Sequence, residues 1–74
     1  MIFLDHILIA EARKAATGAN IHSVRQMIFA YEQAVALHNA GRPAHQDYQS
    51  QYEQALRRFV AEERARLSAR RRGA

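Results

Sequence analysis

Four histidines, His6, His22, His38 and His45, are the first side chains in this 74-residue sequence to test for chemistry. None pair at the i,i+4 spacing that sets two imidazoles on one helical face for a metal ion. His38 and His45 flank a break between two helical patterns, so they alone can meet across it, and surface or capping histidines are the plainer reading. Among the seven carboxylates, Glu62 and Glu63 are neighbours and point in different directions on a helix. They suit ion pairs with Arg58 and Arg66 better than a general acid/base pair, and Glu62–Arg66 has the favourable i,i+4 orientation. Ser23, Ser50 and Ser68 have no histidine–acid arrangement nearby in sequence, and there is no glycine-rich phosphate loop. The absence of cysteine removes disulfides and thiolate metal sites together. No enzymatic activity, cofactor or metal is therefore expected.

The three tyrosines, Tyr31, Tyr48 and Tyr52, have the chemistry of a base-stacking platform. Their helical register places them on inward faces, which makes them core residues with hydroxyls at the rim. Charge is less evenly distributed than the net +4 suggests. Through residue 52, Arg13, Lys14, Arg25 and Arg42 cancel Asp5, Glu11, Glu32 and Asp47, so the whole excess lies beyond. Arg64, Arg66, Arg70, Arg71 and Arg72 dominate that end and suit phosphate neutralisation on DNA or RNA, or contact with an acidic protein surface. A short basic terminus can equally be a solubilising tail.

Three helical patterns must position these groups, giving an all-α fold. The first covers Ile2 to about Ala16, with Leu4, Ile7, Leu8, Ala12 and Ala15 on one side. Ile2, Phe3 and Ile9 fall elsewhere around it, and the competing reading is a strand over Ile2–Ile9. Strict alternation fails there, so helix is preferred. Gly18 is expected to close this helix and Asn20 to cap the next. The second helix runs from Ile21 to about Ala40 on a wide stripe of Ile21, Val24, Met27, Ile28, Tyr31, Ala34, Val35 and His38. Phe29 lies opposite, near His22, Arg25 and Gln33.

Ala40-Gly41-Arg42-Pro43 ends that helix and starts the third, with Gly41 in the left-handed region and Pro43 in the first turn. The third helix runs at least to Leu67 on Tyr48, Tyr52, Ala55, Leu56, Phe59 and Val60, with Asp47 in its first turn and arginines in its last. Beyond Val60 only Leu67 is large and apolar, so the final turns should project or fray. The organisation is a single small domain: residues 1–17 form an apolar helix, 20–67 an antiparallel hairpin hinged at 40–43, and 68–74 an arginine-rich tail.

An apolar fraction of 49% argues against disorder. A chain this short nevertheless buries only about 60% of its unfolded surface, so self-association is the expected source of added stability. No run reaches the roughly 18 apolar residues of a membrane span. The apolar start holds Asp5 and His6 without a basic leader, which argues against a secretory signal and leaves the cytoplasm as the expected compartment.

The function expected is a non-enzymatic protein–protein interaction module, an adaptor, chaperone-like or regulatory accessory protein, most simply a homodimer. Its candidate contact residues are Ile2, Phe3, Ile9, Phe29, Tyr48 and Tyr52, the surplus of apolar surface a small chain leaves uncovered. The alternative is a nucleic-acid-binding regulator using the arginines from Arg64 to Arg72.

Overall fold

The computed structural model describes residues 2–41 and 48–72, the last two by backbone alone. It holds three helices, α1 (His6–Ala15), α2 (Ile21–Asn39) and α3 (Tyr48–Arg72), and no strand among the described residues. The first helix starts later than its apolar pattern suggests. Residues 2–5 are not helical, and Asp5 is the N-cap, its Oδ1 accepting the Leu8 N–H at 3.0 Å. A short acceptor poised before the first turn outweighs the apolar run Ile2-Phe3-Leu4, because it satisfies an orphan amide of the helix end.

Nor does glycine end α1. Its C-cap is Ala16 in extended conformation, whose N–H reaches Ala12 and Arg13 carbonyls, and Gly18 has no positive φ. Asn20 stands at the N-cap position of α2 without capping it by side chain. Its Oδ1 instead accepts from the Thr17 N–H at 2.7 Å, while its own N–H donates to the Thr17 carbonyl. The side chain closes the 17–20 turn. At the far end of α2, Gly41 adopts φ +71°, the left-handed position expected of it, and its N–H donates to the His38 carbonyl. Pro43, His45 and Asp47 lie outside the described residues.

Order along the chain fixes the directions of α1. Ile2 exchanges two hydrogen bonds with the Asn39 side chain at the end of α2, and the Asp5 N–H donates to the Tyr31 hydroxyl further back. Thus α1 runs opposite to α2. Against α3, Asp5 pairs with Arg57 and Glu11 with Arg64, so α1 and α3 run the same way. Leu8, Ile9 and Ala12 of α1 join Val24, Ile28, Tyr31 and Val35 of α2 and Leu56 and Val60 of α3 in one core. The buried α2 residues lie on the stripe that periodicity picks out.

Two expected positions in α1 change places. Ile9 is only 4% exposed, whereas Ile7 is 73% exposed. A helix packed on two others must bury adjacent ridges, and the neighbours Leu8 and Ile9 supply them. From its 25 residues α3 contributes only Leu56 and Val60 to the fully buried set. Every residue from Arg64 to Arg70 is exposed, so the last turns stand clear while remaining helical through Arg72.

This packing predicts a hierarchy of stability losses. Leu56→Ala empties the one wholly enclosed α3 position and should cost about 2–5 kcal/mol. Asp5→Ala removes a helix cap and a cross-helix acceptor and should cost about 1–2 kcal/mol. Arg57→Ala removes two partly exposed ion pairs, to Asp5 and Glu53, and should cost about 1 kcal/mol or less. Urea unfolding followed by circular dichroism orders the three.

Candidate interaction site

Asp5 and Tyr31 organise one end of the molecule. Tyr31 is buried in the core with its hydroxyl at the edge, accepting from the Asp5 N–H at 2.9 Å and donating to Glu53 Oε1 at 3.4 Å. Arg57 closes the cluster, 2.9 Å from Asp5 Oδ2 and 3.7 Å from Glu53 Oε1. Burial pushes the Tyr31 phenol above its ordinary value; the Asp5 N–H opposes the shift, and the Glu53 and Asp5 carboxylates add to it. Beside this cluster opens a recess of about 250 Å³ lined by Ile2, Phe3, Tyr31, Gln49, Ser50 and Glu53. Its walls come from the N-terminal segment, the middle of α2 and the first turns of α3.

Two of the expected contact residues lie here. Ile2 and Phe3 line the recess, and Phe3 is 85% exposed. Tyr48, expected on an inward face, is instead exposed where α3 opens directly before Gln49, because the first turn of α3 precedes its buried stretch, while Tyr52, one turn on, is half-buried against the core. Ile9 is a core residue and is not available to a partner; that expectation is corrected, because α1 spends Ile9 on its own packing. Ile2 is partly spent in the same way.

Phe29 is elsewhere, on the outer face of α2, 63% exposed. Leu37, eight positions on and 51% exposed, shares that face, with exposed Gln33 between them. Periodicity marked Phe29 as misplaced and passed over Leu37, although i,i+4 steps from Phe29 through Gln33 lead to it.

The arginines divide differently from their sequence grouping. Arg64 pairs with Glu11 of α1, and Arg66 pairs with Glu63 rather than Glu62. Arg70 is exposed, and the side chains of Arg71 and Arg72 lie outside the described residues. His6, His22 and His38 are all exposed. Among the described residues no group of three or more His, Cys, Asp or Glu side chains is placed to hold a metal ion, and no helix is long and apolar enough to cross a membrane. Comparison with family models, curated proteins and solved structures finds no match to the chain.

The raised Tyr31 pKa fixes a pH dependence. An unfolded phenol loses its proton near pH 10 and the folded one later, so the contribution is complete below about pH 10 and is lost as pH rises through the folded value. Tyr31→Phe should flatten that alkaline loss, at a cost of about 1 kcal/mol near neutrality from the orphaned Asp5 N–H. Urea midpoints across alkaline pH, with phenolate absorbance in parallel, check both effects.

Proposed function

We propose that this chain is a non-enzymatic protein–protein interaction module acting through apolar helix faces, with a second copy of itself as its first partner. The observation that carries this reading is the outer face of α2. Phe29 and Leu37 sit well exposed on either side of Gln33, on a helix whose opposite face is fully engaged in the core. Phe29, Gln33 and Leu37 lie on one i±4 ridge, the ridge type that interdigitates most often between packed helices.

A two-fold axis at Gln33 makes this face self-complementary. Phe29 of one copy meets Leu37 of the other, and the reciprocal contact forms across the axis, as an isologous interface requires. The order of contacts along α1 supports reading α2 and α3 as an antiparallel hairpin, so two copies would assemble as a dimeric helical bundle. The recess lined by Ile2 and Phe3 is separate from the Phe29–Leu37 face and suits an apolar side chain from a further protein partner.

Sedimentation equilibrium on the full chain tests the dimer. The expected species has twice the 8.4 kDa chain mass. Phe29→Glu and Leu37→Glu each remove two symmetry-related contacts and should weaken association about a hundredfold with helicity unchanged. A wild-type chain that stays monomeric at high concentration, or variants that dimerise as well as wild type, would exclude this interface.

A further inference from the structure

The directions of α1, α2 and α3 bring to one end of the molecule cations that are scattered in sequence. Arg13 and Lys14 lie in the last turn of α1, and Arg25 lies in the second turn of α2, past the 17–20 turn. Because α3 runs with α1, its arginine-rich end arrives at the same pole. Two of the carboxylates there are already neutralised, Glu11 by Arg64 and Glu63 by Arg66. Arg13, Lys14, Arg25 and Arg70 have no acidic partner among the described residues, and Arg71 and Arg72 follow in the helix. Exposed Glu62 is the carboxylate nearby without an ion pair in that set.

Shape narrows the ligand. The Glu11–Arg64 pair sets α1 and α3 level, so the end of α1 at Ala15 lies beside Ser68, and α3 continues about 6 Å past it to Arg72. The result is a free helix end, about 10–12 Å across with side chains, with the body's own cations at its base. A B-form major groove is about 12 Å wide and admits such a helix, with phosphates on both rims to meet flanking cations. Duplex RNA has a deep, narrow major groove that does not admit it.

We propose that this pole binds duplex DNA, with the end of α3 in the major groove and Arg13, Lys14 and Arg25 on the flanking phosphates. The contacts are to the backbone, so affinity is steeply salt-dependent and tolerant of base sequence. It is a binding activity distinct from the apolar surfaces of α2 and the recess.

Fluorescence anisotropy with a mixed-sequence duplex DNA, across a potassium chloride series, tests it on the full chain. Four neutralised phosphates, one each for Arg13, Lys14, Arg25 and Arg70, give a log–log salt slope of about −3.6. The double variant Arg13→Gln/Lys14→Gln should weaken binding about tenfold or more at low salt and reduce the slope by about two. Arg70→Gln, on the projecting helix, should reduce it by about one. All three positions are exposed, and circular dichroism establishes that the variants remain folded. No binding at low salt would overturn the proposal, as would unchanged affinity in the Arg13/Lys14 variant. Equal affinity for duplex RNA of the same sequence would remove the major-groove assignment. Tighter capture of poly-glutamate than of DNA would assign the pole to an acidic protein instead.

Discussion

Asp5 is the residue through which all three helices are tied. One carboxylate oxygen caps α1 through the Leu8 N–H, the other holds Arg57 of α3, and its backbone N–H rests on the Tyr31 hydroxyl of α2. Each contact is modest alone. The two that reach Tyr31 and Arg57 fix the height of α1 against both neighbours, because a slide by one turn would break both, while the cap locks Asp5 to the helix that would slide. The Tyr31 hydroxyl, sitting where the core meets solvent, finds a donor and an acceptor there, and no buried side-chain polar atom among the described residues is left without a partner.

The chain achieves this with a thin core. Its radius of gyration is 14.2 Å, against about 11 Å for a compact chain of this length. The principal extents of 51 × 20 × 18 Å show where the difference lies. The long third helix makes most of that length, yet it is fully buried only around Leu56 and Val60. Surface therefore remains in distinct zones: an apolar face on α2, a recess at the start of α3 and a cationic zone at its end. A rounder molecule of the same composition would have to merge them.

Local patterns were readable where a single helix decides its own fate. The α2 stripe through Val24, Ile28, Tyr31 and Val35 is the buried stripe, and Gly41 holds the left-handed conformation that its position implied. What sequence left hidden depended on residues far apart. Arg57 and Asp5, or Arg64 and Glu11, are paired across more than fifty positions, and no periodicity announces such a match. The exchange of Ile7 for Ile9 has the same origin, since the rotation of α1 is set by the two helices beneath it. Asp5 itself was a visible capping residue, obscured by the apolar residues before it. Within the candidate site, exposure at Phe29 followed from register, whereas burial of Ile9 and exposure of Tyr48, which register had set on an inward face, did not.

The shared direction of α1 and α3 has a mechanical corollary. Residue 2 lies beside Asn39 at one pole, and residue 72 ends α3 at the other. Tension applied between those points runs along the long axis and loads the α1–α3 contact in shear. The Asp5–Arg57 and Glu11–Arg64 pairs and the core packing between them would then bear the force in parallel rather than one after another.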